Sequence, residues 1–277
     1  MHVKVAFALL LMAILSGCGL SQTPRTWRIA LLAPFEGRYR EVGYNALYAA
    51  RLALHDAAVD HIELLPIDDG GSATSAAARA HGLARDPLVL AAVTLGYAAT
   101  DSNVQHNFAD VPILIVGNWD ASPTHSGVFQ LSNPQISSMT NLPARIEVTD
   151  AARAPAPLVA SEIASLNGFV RLRDRLDDVT IVTSAALPNT EWAERFMDSD
   201  LFAPAPGLLA LLTYDAVRLL ATIDAHDRKR MRAGIERSDY AGLSGRIRFV
   251  DGYWQDAPIH RYRYASSGLL TVDDIIE

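Results

Sequence analysis

The chain has 277 residues, half of them hydrophobic, and sets 31 acidic against 24 basic side chains for a formal charge of −7. An acidic balance argues against nucleic acid as a partner and against a polybasic grip on anionic lipid. The length suits one large or two modest domains with a sizeable core, and the single Cys, at position 18, excludes an internal disulfide.

The first segment, MHVKVAFALLLMAILSGCGL, places Lys4 ahead of an apolar run from Val5 to Leu15, then Ser16 and Gly17 before Cys18. That order of charge, apolar run and small residues marks a secretory signal, and the run is too short to span a bilayer as a helix. Leu15-Ser16-Gly17-Cys18 resembles the lipobox of bacterial lipoproteins. The resemblance implies that residues 1–17 are removed, that Cys18 is acylated, and that the chain is held at an extracytoplasmic membrane face by its lipid. The other reading is an ordinary secretory signal with a chance Cys. Loss of Lys4 with the leader would make the charge about −8. Residues 18–26 read as a tether.

Trp27 to Ala33 is a short apolar run bounded by Pro34 and Gly37, which predicts a buried strand. Arg38 to Ala58 repeats Val42, Ala46, Ala49, Ala50, Ala53, Leu54 and Ala57 at helical spacing. Ile62 to Ile67 predicts a second strand, ending at Asp68-Asp69-Gly70-Gly71. Ser72 or Thr74 is placed to cap an Ala-rich helix that runs through Leu83 and stops near Asp86-Pro87. Val89 to Leu95 predicts a third strand, Asp101 to Phe108 a short helix, and Val111 to Val116 a fourth strand. Strands and helices alternating across short loops predict an α/β fold with a doubly wound parallel sheet, whose ligands bind outside the carboxyl ends of the strands.

The segments RIALLAPFEGRYREVGYNALYAARLALHDA and IELLPIDDGGSATSAAARAHGLARDPLVLAAVTLGYAATDS resemble the N-terminal lobe of type I periplasmic binding proteins. More narrowly, they resemble the branched-chain amino-acid (Leu/Ile/Val-type) substrate-binding lipoproteins of ABC transporters. The features that align are the Pro-x-x-Gly turn after the first strand, Gly43, the Asp-Asp pair and Gly96. LLTYDAVRLLATI and LSGRIRFVDGYWQDAPIHRYRY resemble that family's late helix and closing strands. The resemblance implies two α/β lobes, with lobe one formed by 27–117 and 206–236 and lobe two by 118–205 and 237–277. Lobe two is expected to be truncated. Gln135 to Pro157 replaces the one or two βα units the family places there, and Pro143, Pro155 and Pro157 disfavour a buried strand across it.

The resemblance also implies a ligand site between the lobes, at Ala98, Ala99 and Thr100, in the loop from Gly117 to Ser122, and at Glu162. Thr100 has a hydroxyl to offer, and the backbone N–H groups of 96–100 are candidates for an anion. Trp119 and Asp120 stand where the family tends to carry small residues. If Trp119 faces the cleft it forms an apolar wall, and Asp120 with Glu162 favours a cationic or amine-bearing ligand. The other reading is that Trp119 packs under the crossing segment and Asp120 caps the turn at Ser122-Pro123.

The Asp68-Asp69 pair invites a metal or phosphoryl-transfer reading against that of a solvated strand end beside a helix N-terminus. The eight His residues show no i,i+4 pair and no HExxH, so no metal or cofactor is expected. No Gly-x-Ser-x-Gly is present, the one Cys belongs to the lipobox, and an enzyme is not expected. Two functions remain. One is an extracytoplasmic solute-binding lipoprotein of an ABC importer, partnered by its permease and binding an amino-acid-like or amine-bearing molecule. The alternative is a non-transport ligand sensor or envelope interaction module of the same fold.

Overall fold

The computed structural model describes residues 26–265 and, as backbone, 270–276. Cys18, the leader and residues 18–25 of the tether lie outside the described residues.

Lobe one is built on β1 (Trp27–Ala33), α1 (Arg40–Ala57), β2 (Ile62–Asp68), α2 (Ala73–Arg85), β3 (Val89–Thr94), α3 (Ser102–Asn107) and β4 (Ile113–Val116). β3 and β4 are buried along their whole length, as expected of central strands covered on both faces. β1 pairs in parallel with β2 on one side and β3 on the other. Right-handed crossovers in opposite directions therefore send α1 and α2 to opposite faces of the sheet. β2 is the edge strand, which is why Pro66 is tolerated within it. Ser72 caps α2 by accepting the Ser75 N–H at 3.2 Å.

The turn after β1 is organised by Asp68. Its Oδ1 accepts the N–H groups of Phe35 at 2.8 Å and Glu36 at 3.2 Å, and its Oδ2 accepts that of Gly70 at 2.8 Å. α1 crosses this turn so closely that a Cβ on Gly43 would lie 2.1 Å from the Pro34 carbonyl oxygen.

The sheet is larger than the alternation of elements implied. β5 (Val128–Leu131) pairs in parallel with β4, and β10 (Phe249–Val250) and β11 (Tyr253–Trp254) extend the same edge, giving seven strands. These strands correct the expected boundaries, which placed 118–205 and 237–277 wholly in lobe two. β5 reaches its parallel place through the irregular stretch 117–127, with no crossover helix to reveal it. A four-residue strand, apolar at three positions, has no feature that tells which sheet it joins.

α7 (Thr190–Asp198) also docks on lobe one. Its Trp192 ring meets Tyr214 edge-on at 5.8 Å, and Arg195 pairs with Asp56. Tyr214 belongs to α8 (Leu208–Thr222), a helix apolar nearly all round and buried beside α1. The buried Asp215 of α8 is satisfied by the N–H groups of Leu243 and Ser244, which ties the β8–β9 hairpin (Tyr240–Ala241 and Arg246–Ile247) to the core. α9 (Arg228–Glu236) completes this side.

Among the described residues lobe two has four strands. These are β6 (Leu158–Ala160), β7 (Val179–Thr183), β12 (Ile259–Tyr264) and β13 (Leu270–Ile276), in the order β13-β12-β7-β6. Between β5 and β6 the chain forms only the short helices α4 (Ile136–Met139) and α5 (Val148–Ala152), and between β6 and β7 a 3-10 turn (Glu162–Ser165) and α6 (Asn167–Val170). The proline-rich stretch thus carries no strand among the described residues. Asn133 knits the passages between the lobes, donating its N–H to Ser184 Oγ and its Nδ2 to the Ala257 carbonyl, both at 2.8 Å, while its Oδ1 accepts the Gln135 N–H at 3.0 Å.

Candidate functional site

The carboxyl ends of β1, β2 and β3 open onto a cleft of about 590 Å³ facing lobe two. Its lobe-one wall carries Glu36, Arg38, Tyr39, Asp69, Tyr97 and Ala98, and its far wall Arg145 and Glu147. That volume lies within the range of small-molecule sites. Behind it, Tyr97 and Arg145 also line an inner cavity of about 80 Å³ with Asn118, Asp120 and Ser161, too small for a typical organic ligand.

The partition between the two spaces is the chain's own segment from Leu142 to Glu147. Arg145 places Nη1 2.6 Å from Asp101 Oδ2, and Tyr39 donates its hydroxyl to Glu147 Oε2 at 3.3 Å. The Val148 N–H returns a bond to Tyr39 Oη at 3.2 Å. Burial and the Glu147 charge push the Tyr39 hydroxyl up to about 12, so it stays a neutral donor at physiological pH. Arg38 reaches Thr149 Oγ1 at 3.2 Å and Glu147 at 3.6 Å.

Five acidic and basic groups line the larger cleft: Glu36, Asp69 and Glu147 against Arg38 and Arg145. Arg38 is matched by Glu147 and Arg145 by Asp101, while Glu36 and Asp69 have no cationic partner among the described residues. Burial raises the Asp69 carboxyl, opposed by the Gly71 N–H and reinforced by Asp68. Tyr39 and Tyr97 meet edge-to-face at 6.0 Å. The cleft is therefore acidic with an aromatic wall, a combination that suits an amine.

The residues expected to form the site are not gathered in one cleft; only Trp119 and Glu162 share a space, a small gap away from the larger cleft. Ala98 lines the cleft, but Ala99 is buried. Thr100 is wholly buried, and both its hydroxyl and its N–H donate to the Gly96 carbonyl, at 2.9 and 3.1 Å. Both donors are thus engaged within the loop, and the helix behind them, α3, is already capped by the Asp101 carboxylate. Trp119 is the largest fully buried side chain and donates Nε1 to the Val116 carbonyl at 2.7 Å. It supports Tyr97 from behind, ring to ring at 5.4 Å, and is not itself the wall. Asp120 is exposed with φ +54° and borders only the inner cavity. Glu162 is 2% exposed, bonded to the Thr183 hydroxyl at 2.7 Å, and its Oε2 has no hydrogen-bond partner. Burial pushes its carboxyl up to about 7, against the Thr183 bond. It faces an apolar gap shared with Val42, Trp119, Leu166, Leu208 and Leu209, not the cleft.

Arg38, Tyr39, Arg145 and Glu147 lie outside the residues that the pattern pointed to, and Tyr97 falls within the 96–100 loop only as a backbone N–H, not as the ring that lines the cleft. The only local signal for Arg38 and Tyr39 is their place past the carboxyl end of β1.

This architecture is the type I periplasmic-binding-protein fold, with a truncated second lobe. The chain superimposes on a leucine-binding protein of Thermotoga maritima with TM-score 0.72 and 13% identity, covering 91% of this chain and 99% of that one. A branched-chain amino-acid transporter substrate-binding protein of Streptococcus pneumoniae, solved with isoleucine, matches with TM-score 0.66, 13% identity and the same coverages of 91% and 99%. A solute-binding protein of R. palustris, solved with benzoate, matches with TM-score 0.65 and 12% identity over 90% of this chain and 96% of that one. No protein-family model and no curated protein sequence matches the chain.

Proposed function

We propose that this chain is an extracytoplasmic solute-binding lipoprotein of an ABC importer, anchored through Cys18, which takes a small amine-bearing or amino-acid-like molecule between its lobes and passes it to a permease. The observation that carries the reading is the cleft of about 590 Å³ at the strand carboxyl ends, where Glu36 and Asp69 lack cationic partners beside Tyr39 and Tyr97. The fold is shared with proteins solved with isoleucine and benzoate, which supports a solute as the occupant. The ligand ammonium would sit against Glu36 and Asp69, with Tyr97 held in place by Trp119. A non-transport sensor of the same fold is favoured by one observation, the Leu142–Glu147 segment that already fills the inner part of the cleft.

The test is a thermal-shift screen of amino acids and polyamines, followed by titration of any hit on variants. Glu36→Gln and Tyr97→Ala are each expected to weaken binding about tenfold, the order of one charge-assisted or cation–π contact. Asp120→Asn is expected to leave it unchanged. A hit indifferent to both cleft variants and weakened by Asp120→Asn would move the site to the inner cavity and overturn this reading.

A further inference from the structure

The segment between Asn141 and Val148 is clamped to lobe two at both ends. Asn141 exchanges N–H and Oδ1 bonds with Val159, each at 3.0 Å, and donates Nδ2 to the Pro157 carbonyl at 2.8 Å. At the other end Val148, Ala151 and Ala152 are buried in the core beside α6. Between these clamps the six residues from Leu142 to Glu147 leave lobe two, stiffened by Pro143, and reach lobe one. Arg145 makes the reach in a left-handed conformation, φ +52°, which costs a non-glycine residue energy and persists only when its surroundings hold it.

Every polar contact of this strap with lobe one falls on two small groups. One is the turn before α1, where Arg38 and Tyr39 meet Glu147; just past the strap, Val148, Thr149 and Asn167 of lobe two add bonds to Tyr39, Arg38 and Glu41. The other is Asp101, which caps α3 and accepts Arg145. The strap therefore bridges two separate elements of lobe one from a double anchorage in lobe two.

We propose that the Leu142–Glu147 strap is an internal latch, which closes the two lobes on one another through the chain's own side chains and gates the inner cavity. Its contacts occupy the position from which a solute would bridge the lobes. Release of Arg145 from Asp101 and of Glu147 from Tyr39 joins the inner cavity to the outer cleft. That the gate admits a solute rests on the function proposed above; that the strap holds the lobes together does not.

The test is native-state hydrogen exchange on the full chain with no solute added. It reads the Asn167 amide, which donates across the lobe interface to Glu41 Oε2 at 2.9 Å and is untouched by the variants used. Arg145→Ala and Asp101→Asn both remove the ion pair, and the Asn keeps the α3 cap. Each is expected to speed exchange at Asn167 about fivefold, together with Val148, while the β3 amides keep their protection. Tyr39→Phe, which removes the acceptor of the Val148 amide and the donor to Glu147 but leaves the Asn167 acceptor in place, is expected to raise both amides as well, because a latch releases as a unit. Should Arg145→Ala also unprotect β3, Asp101→Asn decides. Unchanged exchange at Asn167 in Asp101→Asn, or a rise confined to Val148 in Tyr39→Phe, overturns the latch. Neither result depends on whether any solute binds.

Discussion

Replacing Glu162 by Gln should remove a pH dependence of stability that the wild-type chain carries between pH 4.5 and 7. The carboxyl is 2% exposed and its folded value stands near 7, against an ordinary 4.5. Below pH 4.5 it is protonated in both the folded and the unfolded chain and contributes no slope. Between 4.5 and 7 the unfolded chain releases the proton and the folded chain keeps it, so the unfolded state binds fewer protons and stability falls as pH rises. Above 7 the folded carboxyl is ionised too, and the full cost is present. A gap of about 2.5 at 1.36 kcal/mol per unit gives a loss of about 3 kcal/mol across the window. Gln keeps an oxygen for the Thr183 hydroxyl and has no proton to lose. Its own packing cost is the same at every pH, so the difference between variant and wild type isolates the titration. Asp69 and Asp215 are also raised by burial, but they are common to both chains and cancel. Urea unfolding followed by tryptophan fluorescence at pH 4.5, 6 and 8 measures this. The Gln variant is expected to gain about 3 kcal/mol on wild type between the extremes. Parallel stability curves would refute the buried, unpartnered carboxyl.

Gly43→Ala is expected to lower the melting temperature by about 5 °C in a circular-dichroism scan. A Cβ 2.1 Å from the Pro34 carbonyl forces α1 off the turn, an overpacking cost of about 2–3 kcal/mol that exceeds the roughly 1 kcal/mol gained in helix propensity. An equal or higher melting temperature would contradict the close approach. Cys18→Ala is expected to leave the chain unprocessed or released from the membrane. A wild-type N-terminus that mass spectrometry finds unmodified, at a residue other than Cys18, would remove the lipid anchor.

The local elements were legible because they depend on neighbours in the chain. Apolar runs bounded by Pro34, Gly70 and Pro87 marked β1 to β3, helical spacing from Val42 to Ala57 marked α1, and Ser72 marked the start of α2. Pro143, Pro155 and Pro157 mark the stretch between β5 and β6 as strandless, since a proline cannot serve a central ladder. The sequence leaves the direction of Trp119 open. That direction hangs on the backbone at Gly117, whose φ of +88° lies two residues before the indole that packs under Tyr97. A left-handed residue redirects everything after it, and no apolar period announces where one falls.

By itself, the sequence determined the alternation of strands and helices, the shortening of the second lobe and the acidic balance of the surface, because periodicity, proline and charge act locally or in sum. The tertiary structure alone decided that β5 and β11 join the first sheet, that Glu162 is sealed among Val42, Leu208 and Leu209, and that Arg145 and Glu147 cross to Asp101 and Tyr39. Each of these joins residues far apart in the chain. Their meeting depends on which surfaces remain to be buried once the lobes have formed, a property of the packed whole that no single segment carries.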